Sequence, residues 1–135
     1  MPTGVTISVA HNEARLAGTL ANLNSGPGPG YIDLYTAPRP ASGAAITTQA
    51  KLARITLADP AGTITPGSNT LTLTQAADSL FLLDGDAVWA RGCASDNAHS
   101  FDCDVSAVGG LGQIKFANIT VLAGGIARMV SAAFG

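Results

Sequence analysis

The chain has 135 residues and a mass of 13.5 kDa, the size of one domain that buries one continuous core. Only 12% of its residues are charged while 47% are hydrophobic, so the departure from the roughly 25% charge of soluble domains is a deficit of surface charge. A net charge of -2, a pI near 5.4 and basic residues scattered from Arg15 to Arg128 leave no basic stripe, which argues against nucleic-acid binding.

A monomer of this mass should expose roughly 6,500 Å², which spaces its charges about 400 Å² apart. Such sparse cover predicts a subunit whose neutral faces meet other protein, with a Thr/Ser-hydrated monomer as the plainer alternative. Residues 1–10 lack the basic start and apolar stretch of a secretion signal, so synthesis in the cytoplasm is expected. No membrane span is expected either, because the apolar tail at residues 119–134 is broken by Gly124, Gly125 and Arg128 and is shorter than the roughly 20 residues a spanning helix needs.

Val5, Ile7 and Val9 alternate with Thr6 and Ser8, the period-two pattern of a first strand or arm over residues 1–10. Asn12 is placed to cap a short helix over residues 12–24, with Leu16, Leu20 and Leu23 on one face and a costly Gly18 inside. The run Gly26-Pro27-Gly28-Pro29-Gly30 is a connection, since it lacks the strand–loop–helix order and the lysine of a phosphate-binding loop. Alternation resumes at residues 31–36, at Ala53-Ile55-Leu57 with Arg54 and Thr56 outward, and at Leu71 and Leu73 among threonines. The separators Asp59-Pro60-Ala61-Gly62 and Thr65-Pro66-Gly67-Ser68-Asn69 carry turn residues. An apolar run at residues 80–83 ends at Asp84-Gly85-Asp86, and residues 87–93 hold the only Trp. Further strands are expected at residues 113–118 and 126–134. The resulting fold class is mainly β, a sandwich or an open barrel with one short N-terminal helix, its main body spanning residues 31–134.

Few residues offer chemistry. Cys93 and Cys103 flank a turn at Asp96-Asn97-Ala98-His99, and a loop at residues 97–99 would set them opposite each other within reach of a disulfide. Cytosolic synthesis favours two semi-buried thiols instead. His99 with Cys93, Asp102 and Cys103 lacks the paired spacing of a zinc site. The acids Asp84, Asp86, Asp96, Asp102 and Asp104 do not form a calcium loop. His11 and His99 sit in no nucleophile–base motif, so no catalytic residue, cofactor or metal is expected. The sequon at Asn118-Ile119-Thr120 reads as part of a strand. Tyr31, Tyr35, Trp89 and Phe101 could form a sugar platform, although so few aromatics are also wanted by the core.

One run is more distinctive: Ile32-Asp33-Leu34-Tyr35-Thr36-Ala37-Pro38-Arg39-Pro40-Ala41, a strand with a proline-stiffened exit that follows the helical segment at residues 14–24. Together with Gly85-Asp86-Ala87-Val88-Trp89-Ala90-Arg91, the turn at Ser95-Asp96 and the strands at residues 52–57 and 113–116, it resembles a family of small virion proteins encoded by tailed bacteriophages and prophages. The resemblance covers most of residues 11–134; Cys93, Cys103 and the extended turn between them depart from it. It implies a virion structural protein, in particular a capsid decoration or cement protein with an immunoglobulin-like sandwich. Such a protein would sit on the capsid surface, with the major capsid protein and its own copies, favoured as a trimer, as partners. A tail or baseplate protein that binds a fibre or host glycan is the alternative. In either setting Ala37, Pro38, Arg39 and Pro40 are the expected contact loop, because proline lowers the entropy lost when a loop is fixed against a partner.

Overall fold

A computed structural model describes residues 4–135. Among the described residues the one helix, α1 (Val9–Leu23), is capped by Ser8, whose backbone is extended and whose side-chain oxygen accepts the His11 N–H at 3.1 Å. Residues 5–8 therefore form no strand, and Val5 is 91% exposed; the part of that expected strand at residues 1–3 lies outside the described residues. The alternation failed as a signal because the helical spacing of Leu16, Leu20 and Leu23 reaches the core, whereas residues 5–8 meet no partner strand. Asn12 is not the cap but a residue inside the helix, where its amide donates to Asn69 Oδ1 at 2.7 Å. Glu13 accepts the Asn69 and Gly67 N–H groups at 2.8 and 3.3 Å, which fastens α1 to a turn at residues 65–70.

Eleven strands follow: β1 (Tyr31–Tyr35), β2 (Lys51–Ile64), β3 (Leu71–Gln75), β4 (Ser79–Leu80), β5 (Gly85–Asp86), β6 (Trp89–Cys93), β7 (His99–Ala107), β8 (Ile114–Phe116), β9 (Thr120–Val121), β10 (Ile126–Ala127) and β11 (Ser131–Phe134). The mainly β expectation with one helix holds. The main sheet is a closed barrel in the order β1-β2-β3-β11-β8-β7-β6, and two small ribbons, β4 with β10 and β5 with β9, cover one end of it.

Closure with seven strands has a geometric consequence. Antiparallel neighbours alternate in direction, so an odd ring cannot close without a parallel pair. That pair is β7 with β8, where Val105 faces Ile114 although only residues 106–113 separate them. Parallel neighbours ordinarily need a longer crossover. Here the chain doubles back tightly: Gly110 N–H reaches Ala107 O and Gly112 N–H reaches Ser106 Oγ, both at 2.9 Å. A Cβ on Gly112 would lie 2.6 Å from Ser106 N and 2.9 Å from Asp104 O, so the return path requires glycine.

The separator at Asp59-Pro60-Ala61-Gly62 is no turn between strands. It is an irregularity inside β2, because Leu57 pairs with Gln75 and Gly62 already pairs with Leu73. Proline has no N–H for a ladder, and a bulge is one of the few places a strand tolerates it. Ala61 is buried, and its N–H donates to Asn24 Oδ1 at 3.0 Å, tying the bulge to the end of α1. The turn at residues 65–70 is as expected, with Gly67 and Asn69 at φ of 85° and 56°.

Inside the barrel, Ile32 and Leu34 of β1, Leu52, Ile55 and Leu57 of β2, Leu71 of β3 and Ile114 of β8 are fully buried, and Leu16 and Leu23 of α1 join them. Each fully buried aliphatic side chain of this size contributes about 1.5–3 kcal/mol. Alternation on β2 leaves Arg54 and Thr56 outward as expected.

Candidate functional site

The outer face of β1 and β6 is not solvated, although strand alternation would place it in water. Tyr31, Asp33 and Tyr35 on β1 and Trp89 on β6 are buried there. Asp33 is gripped by Arg54 Nε and Nη2 at 2.8 and 3.0 Å, with Lys51 Nζ at 3.5 Å, and the Arg54 guanidinium lies 3.8 Å from the Tyr31 ring centre. Tyr35 stacks on Trp89 at 4.7 Å.

Residues 36–50 form a strap over this face. Trp89 Nε1 donates to Thr36 O at 2.9 Å, and Gln49 Nε2 to Pro38 O at 2.6 Å. The strap is latched at its middle by Asp102, whose side chain is 0% exposed. Its carboxylate accepts Arg91 Nε and Nη2 at 2.8 and 3.1 Å and Gly43 N–H at 3.0 Å, and meets His99 Nε2 at 3.1 Å. Arg91 Nη2 also donates to Ala44 O at 2.7 Å. Burial pushes the Asp102 carboxyl up, but the hydrogen bonds from Arg91, Gly43 and His99 outweigh it and hold the group below the usual carboxylate range.

The expected contact loop leaves from this strap. Ala37 and Pro38 are exposed and Pro40 half-buried, but Arg39 is committed to its own fold: Nη1 bonds Asp104 at 2.8 Å and Nη2 bonds Asp102 O at 3.1 Å. Its guanidinium is a clasp on β7 and not an unpaired anchor.

Cys93 and Cys103 are both free and buried. The expected register sets them opposite each other; the observed register pairs Cys93 with His99 and Cys103 with Ala90. The loop is closed at residues 94–98, where Ala94 N–H reaches Ala98 O at 3.0 Å, and the ladder shifts between Gly92 and Cys93. Cys103 then faces the barrel core while Cys93 sits beside Tyr31 on the outer face. No disulfide joins them. Burial pushes both thiols up, Cys103 to about 12, so neither is a thiolate at neutral pH.

The remaining candidates disperse. Among the described residues no three His, Cys, Asp or Glu side chains group to hold a metal: Asp84 and Asp86 lie at the ribbon-covered end, Asp102 lies under the strap, and Asp104 is exposed and pairs with Arg39. The aromatic platform is taken apart too, since Tyr35 and Trp89 stack beneath the strap, Tyr31 lies under Arg54, and Phe101 meets Phe134 edge-on at 5.0 Å. Every buried side-chain nitrogen and oxygen among the described residues has a partner.

The free surface is elsewhere. At the ribbon-covered end, Leu80, Leu82, Leu83, Leu122, Ile126 and Val130 are exposed, and an open groove of about 600 Å³ runs between residues 117–122 and 125–130 over a floor of Phe81 and Phe116. The apolar runs at residues 80–83 and 119–134 were its signal, but periodicity reads such runs as core strands. Comparison of the chain with protein-family models, curated proteins and solved structures finds no match.

Proposed function

We propose that this protein is a bacteriophage virion subunit that decorates the outer surface of the head and cements it by bridging neighbouring major capsid protein subunits. The observation that carries the proposal is the apolar end, where Leu80, Leu82, Leu83, Leu122, Ile126 and Val130 are each exposed and the last three line an open groove, on a chain in which only 12% of residues are charged. Large exposed apolar patches on soluble proteins mark association surfaces. The strapped face supports the same reading from the other side, because its polar groups are spent on each other and hold a rigid body that could present that end. We also carry into the proposal the immunoglobulin-like arrangement implied by the resemblance, a pair of packed sheets whose edges have joined, and a trimer as the bridging unit. Cementing would then work by burying apolar area across capsid subunits and opposing the pressure of packaged DNA. In the contact loop, Ala37 and Pro38 are the side chains left free for a partner.

The test is rebinding of purified protein to capsids stripped of accessory proteins, with copy number read from particle images. Hundreds of copies on the head support cement. A handful at the tail would instead support a tail or baseplate protein, and no binding to either would refute a virion role.

A further inference from the structure

Residues 36–50 join β1 to β2 as a closed loop whose two arms are tied to each other. Thr36 N–H donates to Ala50 O at 3.1 Å, and Ala50 N–H donates to Thr36 Oγ1 at 2.9 Å. Further along, Gln49 Nε2 donates to Pro38 O at 2.6 Å and Gln49 Oε1 accepts the Thr47 N–H at 3.0 Å. A short turn at the tip is closed by Ala44 N–H to Ala41 O at 2.9 Å. A loop of this length, with joined ends and its own internal bonds, is an Ω-loop. Because the bonds cross from one arm to the other, neither arm can leave the barrel without its partner.

The hold on the barrel is narrow. Apart from the Trp89 Nε1 bond to Thr36 O, the loop's hydrogen bonds to the rest of the described residues end on Arg91, Asp102 and Asp104 alone. Within residues 36–50 only Gln49 is buried, and Ile46, the single large aliphatic side chain, is half-buried and stands outside the core cluster. The ladder next to the loop is irregular, since the β1–β2 register shifts between Leu34 and Tyr35. Beyond that shift the two strands are anchored by Ile32, Leu34, Ala53 and Ile55, all fully buried. Segments with few buried apolar contacts open at a lower free energy than the whole fold.

We infer that residues 36–50 are a releasable cover, which leaves the barrel as one unit down to the Tyr35–Lys51 pair while the barrel itself stays closed. Release undoes the Asp102 latch and frees Arg91, whose guanidinium carbon lies 5.3 Å from the Trp89 ring centre. The Tyr35–Trp89 stack then gains access to solvent in a chain that is otherwise folded. Gly43 sets how firmly the cover shuts. It donates to Asp102 from a φ of 75°, where glycine is at ease and a residue with a Cβ is strained. The cover does not depend on the virion reading.

Native-state hydrogen exchange on the full ¹⁵N-labelled chain tests this directly. The Thr36, Gly43, Ala44, Thr47 and Ala50 N–H groups and the Trp89 indole N–H should share one opening equilibrium. That equilibrium should hardly change with urea below the unfolding transition, whereas the slowest amides in the β1, β2 and β6 ladders respond steeply, because only global unfolding exposes a large surface. Gly43→Ala should speed exchange of the whole group by about fivefold to thirtyfold, including the distant Ala50 and Trp89 sites. Gly109→Ala, which meets nothing within 4 Å, should leave the group unchanged. Urea dependence of the loop amides as steep as that of the ladders would show that the cover opens only with the barrel and would overturn the inference. So would acceleration confined to residues 43 and 44, which means piecewise fraying, or a Trp89 indole N–H that exchanges with the ladders.

Discussion

Asp102→Asn isolates the latch on the strap. The substitution keeps the shape of the side chain and one carbonyl acceptor but removes the charge that faces Arg91. The Arg91 side chain is only 13% exposed, and its other nearby acceptor is the neutral Ala44 carbonyl. Breaking one side of a buried ion pair costs about 3–5 kcal/mol, and the acceptor retained by Asn puts the expected loss near the lower end, about 3 kcal/mol. Against a total stability of about 5–15 kcal/mol this is a large fraction. Trp89 is the only Trp and bonds the strap directly at Thr36 O, so urea unfolding followed by Trp fluorescence reads the loss, and acrylamide quenching of the folded state reads strap loosening.

The control is Asp78→Asn, which breaks the exposed pair with Arg128 and should leave the urea midpoint nearly unchanged. Asp102 also sets an acid limb. Its folded carboxyl titrates below its unfolded value, which is about 3.9, so its stabilisation is complete above that value and is lost as pH falls through the lower folded one. The variant should therefore show a flatter pH dependence than the parent below about pH 4. Equal urea midpoints for Asp102→Asn and Asp78→Asn, with equal quenching, would refute the latch.

Other consequences follow from single contacts. Gly112→Ala should cost about 1–3 kcal/mol, as overpacking does, because the new methyl would press on the backbone of residues 104–106; Gly109→Ala, with nothing within 4 Å, is its control in urea unfolding, and equal midpoints would reject the tight return path. The folded protein should show two free thiols by intact mass after alkylation in denaturant, slow reaction of both at neutral pH, and no bridge after mild oxidation; rapid bridging would contradict the opposite-face placement. Burial raises the Tyr31 hydroxyl to about 12, so the neutral form is favoured in the fold and its stabilisation is lost as pH rises from about 10 toward that value. Tyr31→Phe should flatten stability over that alkaline window, and an unchanged profile would show that the hydroxyl is not protected there.

Where the sequence was informative, one local rule agreed with the packing. On β2, Ile55 and Leu57 point inward and Arg54 and Thr56 outward as alternation demands, and the turn at residues 65–70 holds Gly67 and Asn69 at positive φ. It was misleading where a local rule met a tertiary partner it could not see. Asp59-Pro60 carries every sign of a turn, yet β2 runs through it as a bulge because Asn24 at the end of α1 holds Ala61. On β1 all five residues are buried, since the strap covers the face that alternation assigns to water. Closure was beyond reach for a related reason: it depends on the parallel β7–β8 contact, which is made by a doubled-back loop with no periodic signature.

The same limit explains why the surface that the sequence nominates for a partner and the surface left free by the fold differ. The proline-rich exit at residues 37–40 stands out because its residues are unusual, but its arginine is held by Asp104 and the Asp102 carbonyl, so much of its distinctiveness serves the latch. The apolar runs at residues 80–83 and 119–134 look ordinary because aliphatic residues are what cores are made of. Periodicity records that a residue is apolar and which of two faces it occupies, not whether anything covers that face. In β4 and β10 the direct partners Leu80 and Ile126 face each other and both remain exposed, although on a strand inside the barrel the same pair would count as core. A partner surface on this charge-poor chain is therefore to be sought where hydrophobic residues are left over after the barrel has closed, on the two small ribbons that β9 and β10 form with β5 and β4.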